Sequence, residues 1–229
     1  MFEQLRERVV TANLELVRLE LAILTFGNAS AADRDVGVMA IKPSGVPYHE
    51  LTVESVPVLD LTDGTVLDGD CRPSSDTPTH LALYRAFAEI GGVVHTHSPY
   101  ATAWAQACRP IPCLGTTHAD HFRGPVPVTR ALTAEEIAGG YEEATGAVIV
   151  ELGIDPRSMP AALVASHAPF TWGDDVETAV ENAVALEAVA ASTYRALVLH
   201  SGCVSIDDRL LAKHFDRKHG PGAYYGQPT

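Results

Sequence analysis

The dipeptide Asp63-Gly64 stands between two apolar runs, VPVLDL (56–61) and TVL (65–67), and restricts the fold more than any other local feature of the chain. Asp-Gly in that setting is a hairpin signal, because the favoured two-residue turn needs positive φ at both central positions, so at least part of the sheet is antiparallel. Strand-like and helical segments alternate on either side of it. Leu5, Val9, Ala12 and Leu16 recur at helical spacing and predict an opening amphipathic helix. LAILT (21–25) reads as a strand that ends at Gly27-Asn28, and VGVMAI (36–41) as a second, stopped by the turn composition Lys42-Pro43-Ser44-Gly45.

Downstream, Ser74-Ser75-Asp76-Thr77-Pro78 precedes the apolar spacing of Leu81, Tyr84 and Ala88, which predicts a capped helix with proline in its first turn. GGVVHTHS (91–98) is β-rich, PYATAWAQAC (99–108) helical, and PVPVT (125–129) an extended edge piece. Thr133 and Glu136 have capping-box spacing ahead of a helix through Tyr141 to Ala144. VIVEL (148–152) and AALVAS (161–166) read as strands, residues 179–199 as the longest helix, and Leu210 to His219 as a basic helical stretch. No repeat, low-complexity linker or composition break divides the chain, so its 229 residues are expected to form one domain, with a central sheet covered by helices on both faces.

Charge and cysteine content narrow the function. Lys and Arg number 16 against 29 Asp and Glu, a net charge of −13, and that field repels nucleic acid and anionic membrane surfaces. An anionic substrate therefore needs a local cluster of donors. The start MFEQLRERVV has no apolar leader and nothing later is long enough to span a bilayer, so a cytoplasmic location is expected. The four cysteines form no CxxC pair and are expected to be reduced thiols.

Three constellations carry chemistry. His95-Thr96-His97 ends a strand-like run, and the two-residue period sends both imidazoles to one face. His167 ends AALVAS in a similar context. Three neutral imidazoles at gathered strand ends suit a catalytic metal with an open position; a hydrogen-bonded surface pair is the competing reading of HxH. Gly27-Asn28, Ser44-Gly45 and Ser74-Ser75 are small polar turns able to encircle a phosphate, with Lys42 beside one of them, although each alone is an ordinary turn. Thr116-Thr117-His118-Ala119-Asp120-His121 is a dense polar run with several potential acids and bases, or else a solvated turn.

TFGNAS, IKPSGV, RPSSDTPTH, VHTHS, GTTHAD, SHAPFTWG and AYYGQ, in this order, resemble segments of the class II aldolase superfamily, most closely its pentulose-phosphate epimerase branch. The resemblance covers nearly the whole chain and implies a three-layer α/β/α sandwich around a largely antiparallel sheet. It implies that Gly27, Asn28, Ser44, Gly45, Ser74 and Ser75 bind the substrate phosphate, and the residues themselves add Lys42 as the positive charge beside them. His95, His97 and His167 would hold zinc (manganese or cobalt being alternatives), with Asp76 as a further ligand. Asp120 and Tyr225 would be the acid and base, donated by a neighbouring subunit of a homotetramer, with His118, His121 and His214 as the next candidates. Related aldolases resemble the chain in its histidines but use a glutamate base near Asp76. The implied reaction interconverts L-ribulose 5-phosphate and D-xylulose 5-phosphate through cleavage and re-formation of the bond between carbons 3 and 4. An aldolase acting on a related ketose phosphate and a non-catalytic module of the same fold are the other readings.

Overall fold

The opening helix forms where the apolar spacing places it: α1 spans Glu3–Arg18 and buries Leu5, Val9, Ala12 and Leu16. The computed structural model describes residues 2–226, so Gln227 of the AYYGQ motif lies outside the described residues. LAILT is not a strand. Leu21 and Ala22 donate their backbone N–H groups to Leu16 O and close the end of α1, while Leu24 adopts φ +54° and is 75% exposed. The first strand, β1, is Asn28–Asp33, whose sequence NASAAD has none of the β-branched or aromatic residues that mark strands. Small side chains suit this position because α1 packs closely on it. The buried Asn13 amide donates to Ala29 O (3.0 Å) and accepts from Ala29 N (2.9 Å).

The chain continues through β2 (Val38–Ile41), β3 (Val58–Asp60), β4 (Val66–Asp68), α2 (Thr77–Ala86), β5 (Gly92–His95), α3 (Pro99–Gln106), α4 (Thr116–Ala119), α5 (Ala134–Gly139) and α6 (Tyr141–Val150). It ends with β6 (Ala161–Leu163), β7 (Pro169–Gly173), α7 (Val176–Leu199) and α8 (Asp208–His219). The seven strands form one sheet in the order β4-β3-β2-β1-β5-β7-β6, and every pairing is antiparallel. The β3–β4 pair is the hairpin expected around Asp63-Gly64, but its loop runs from Leu61 to Thr65 and, of the two residues, only Gly64 takes positive φ (+81°), so the connection is longer than a two-residue turn. PVPVT runs along the outer edge, bridging β6 at Val128–Leu163.

Strand residues alternate between two cores. Val38 and Ala40 face α1 and the first half of α7, whereas Met39 and Ile41 face α2 and α6. A third cluster packs α3 and the second half of α7 over Ala161 and Leu163. The architecture is the three-layer α/β/α sandwich expected. VIVEL departs from expectation: Val148 to Val150 close α6 instead of forming a strand. Thr145, Val148 and Ile149 fall on one helical face, and Gly146 lies where an added Cβ would sit 2.5 Å from Ala82 Cβ. Close helix packing on α2 overrides the β-branched run. The Thr133–Glu136 capping box is present, the four cysteines are free, and no helix among the described residues is long and apolar enough to cross a membrane.

Candidate functional site

The central strands converge three imidazoles. His95 is the last residue of β5 and pairs with Phe170 of β7, on which its ring stacks at 4.2 Å. His97 follows two residues on, on the same face, and lies with its Nε2 3.1 Å from that of His95. His167 sits in the β6–β7 turn, beside Ser166 at φ +60°, and the Tyr141 hydroxyl is 3.3 Å from its Nδ1. One ring nitrogen from each histidine lies within 4.8 Å of the other two. Tautomer chemistry supports a ligand role for His95. Its Nδ1 lies 3.0 Å from Pro169 O, a group that can only accept, so Nδ1 carries the proton and the Nε2 lone pair faces the cluster. Burial pushes His95 down to about 3 and also lowers His97 and His167. All three are neutral near pH 7, the state a divalent cation requires.

Two laced turns form the opposite wall of the same 390 Å³ cavity. Ser44 N donates to Arg72 O and Ser74 N to Lys42 O, so Lys42-Pro43-Ser44-Gly45 and Ser74-Ser75 lie side by side. Gly27 joins them at φ +82°, where a Cβ would approach His95 O to 2.6 Å, so only glycine lets this turn meet the end of β5. Asn28 is buried, and its amide donates to Ser74 Oγ (3.1 Å) and Asp76 Oδ2 (2.6 Å). Both amide protons are therefore committed to orienting neighbours, and Oδ1 is left buried without a partner. Lys42 is only 2% exposed. It makes no ion pair among the described residues, and burial lowers its pKa. Asp76 lines the cavity outside the tight imidazole cluster. Burial opposes its ionisation, but the attraction of His95 and His80 in their protonated forms and the hydrogen bond from the Asn28 amide outweigh burial and hold its carboxyl below the usual range.

Asp120 and Tyr225 do not line this cavity. Asp120 caps α4 and is gripped by α8: Arg217 donates Nε and Nη2 to its two oxygens at 2.9 and 2.6 Å, and His214 Nδ1 lies 3.0 Å from Oδ1. Burial works to raise this carboxyl, but Arg217 and His214 prevail and keep it below the ordinary range. Tyr225 is 62% exposed, with its ring 5.1 Å from the Arg217 guanidinium carbon and its N–H donated to Arg217 O. Arg217 thus gathers both residues into a second cluster.

The profile of the Class II Aldolase and Adducin N-terminal domain matches residues 7–194. The chain belongs to this family. Two relatives, the L-ribulose-5-phosphate 4-epimerases UlaF of Salmonella paratyphi A and Salmonella typhi, are each 53% identical over 227 residues, covering 98% of this chain and 99% of theirs. Among solved structures, an L-fuculose 1-phosphate aldolase aligns with TM-score 0.80 and 24% identity over 93% of this chain and 95% of its own. YgbL from Klebsiella pneumoniae aligns with TM-score 0.75 and 26% identity over 93% and 99%. As a member of the class II aldolase and adducin family, the chain shares the fold of both.

Sequence reasoning about this class II aldolase-family chain misses Arg217 and Tyr141, and finds His214 only as a reserve proton carrier. Arg217 carries no local signal, since its partner Asp120 is 97 positions away. Tyr141 reads from the sequence only as part of a helix, and the β6–β7 turn that brings His167 to it is a tertiary event.

Proposed function

We propose that the chain is a metal-dependent epimerase that interconverts L-ribulose 5-phosphate and D-xylulose 5-phosphate, with its active site completed by a neighbouring copy. The carrying observation is that one cavity unites the three-imidazole cluster with the Lys42, Ser44 and Ser74-Ser75 turns. The 53% identity to relatives named as this epimerase supports the same substrate.

The substrate dictates the route. Carbon 4 is β to the carbon 2 ketone, so its own proton is not acidified, whereas breaking the bond between carbons 3 and 4 frees carbon 4 as an aldehyde that can turn over. His95, His97 and His167 would hold a divalent ion, zinc in our reading, which would supply Lewis-acid stabilisation of the negative charge that develops on cleavage. Asp76, ionised and held by Asn28, completes the polar surroundings of those histidines and is the candidate fourth ligand. Lys42, Ser44, Gly45, Ser74, Ser75 and Gly27 grip the phosphate, so the two-carbon fragment stays bound while its aldehyde rotates. Asn28 contributes by orienting Ser74 and Asp76. Asp120 and Tyr225 take the carbon 4 hydroxyl proton on one side and return it on the other, in either direction. Their separation from the cavity within one chain is what makes a neighbour's contribution necessary. A homotetramer, as in the family resemblance, supplies that neighbour.

The direct test incubates metal-loaded protein with L-ribulose 5-phosphate and follows both D-xylulose 5-phosphate and free aldehyde. Epimer without aldehyde supports the proposal; aldehyde without epimer overturns it in favour of an aldolase. Charge-assisted hydrogen bonds contribute about 1.5–3 kcal/mol, so Ser75→Ala is expected to raise KM for the phosphorylated sugar by roughly tenfold or more. An unchanged KM counts against the phosphate assignment. For the shared site, inactive His97→Ala chains are mixed with inactive Tyr225→Phe chains and allowed to exchange subunits. Random mixing leaves roughly a quarter of sites with both residues intact, so about that fraction of activity should return. No recovery after verified exchange points to a site built within one chain.

A further inference from the structure

Tyr48 belongs to none of the segments read as functional, yet it touches Phe26, Gly27 and Lys42, three residues of the cavity lining. It lies in a single 3₁₀ turn, Tyr48–Glu50, just after the Lys42–Gly45 turn, and is 5% exposed. Its hydroxyl is 3.0 Å from Phe26 O and 2.9 Å from Gly27 O. Carbonyls only accept, so one phenolic proton is shared between two consecutive peptide oxygens of the turn that leads into Asn28. The ring of the same residue lies 4.8 Å from Lys42 Nζ.

The ring answers a physical question raised by Lys42. An ammonium buried in an acidic protein usually finds a carboxylate, but a carboxylate here would neutralise the lysine and repel an incoming phosphate. An aromatic face attracts a cation without carrying a charge of its own. It steadies the ammonium and leaves it available to an anion. Lys42 Nζ makes one long hydrogen bond, 3.4 Å to Pro43 O.

We propose that Tyr48 is a positioning residue for phosphate: its hydroxyl pins the Phe26-Gly27 turn while its ring holds Lys42 in place as an unpaired cation. This inference rests on the phosphate reading of the cavity. Burial also raises the phenol well above its ordinary pKa, so the hydroxyl stays a donor across the working range.

The test uses the metal-loaded full chain with L-ribulose 5-phosphate as substrate and inorganic phosphate as a competing probe. Tyr48→Phe keeps the ring and deletes the proton. It is expected to raise KM and the phosphate inhibition constant together by roughly five- to tenfold, the scale of one lost hydrogen bond, with kcat within about twofold and metal content unchanged. Leu51→Ala, one turn away in the core, is the control for lost stability: it should lower the melting temperature without moving the phosphate inhibition constant. If Tyr48→Phe leaves that constant unchanged while Ser75→Ala raises it, the pocket stands and the Tyr48 inference falls. If neither variant raises it, the phosphate reading fails and takes the inference with it. Hydrogen exchange tests the coupling without any substitution. Saturating inorganic phosphate should slow amide exchange in residues 26–28 and 42–45 of the unmodified protein together, and slowing confined to 42–45 would overturn the coupling.

Discussion

Replacing His97 with Ala is expected to strip the chain of metal and of turnover together. The His95 and His97 Nε2 atoms are 3.1 Å apart, so on the proposed reading the pair acts as one ligating edge, and deletion of either imidazole leaves two donors where three converge. Losing a supporting group around a metal typically costs 10–100-fold in affinity, and losing a ligand itself should exceed about 10²-fold. Lewis-acid stabilisation is worth several kcal/mol, so turnover should fall on the order of 10²-fold to 10⁴-fold at about 1.4 kcal/mol per decade. Elemental analysis and initial rates measure the two effects. Full metal occupancy in the variant would remove His97 from the ligand set. The metal-free variant should melt close to the metal-free parent, because His97 is half-buried on a cavity wall and leaves the three cores untouched.

Tyr225→Phe should lower turnover comparably while leaving the metal in place. General acid-base catalysis contributes roughly 10²-fold to 10⁴-fold, and the substitution removes one transferable proton while keeping the ring that lies against Arg217 and Lys218. Metal content and the phosphate inhibition constant should stay near their normal values, which separates this lesion from those at His97 and Ser75. Near-normal epimerisation would move the proton-carrier role to another group. His214 is then the first to test because it already touches Asp120, with His121 and the buried His118 after it.

The imidazole cluster is legible in the sequence because its signal is local. Period-two spacing puts His95 and His97 on one face whatever the rest of the fold does, and the ends of β5 and β6 lie near one another once β5 pairs with β7. The turns proposed to bind phosphate are legible from composition, since glycine and serine cluster at the chain reversals and bring small polar side chains there. The strands themselves are harder. NASAAD hides β1 because close packing against Asn13 selects small residues over β-formers, and VIVEL mimics a strand because β-branched Val148 and Ile149 are buried side by side in α6. LAILT misleads for a third reason: only Leu21 and Ala22 are buried, and Ile23 and Leu24 project outward. The Asp120–Arg217–Tyr225 cluster depends on α8 folding back on α4, which no spacing along the chain encodes.

The pairing of β1 with β5 sets Asn28 opposite His95, and adjacent strands are about 4.8 Å apart. On the proposed reading, the anion grip and the metal donors are therefore joined through the main chain as two jaws of a fixed caliper. Side-chain substitutions can weaken either jaw, whereas a one-residue slide of the strands would turn Asn28 to the opposite face of the sheet. Carbon count, more than the pattern of hydroxyl groups, is then the property of a sugar phosphate that this scaffold holds most rigidly.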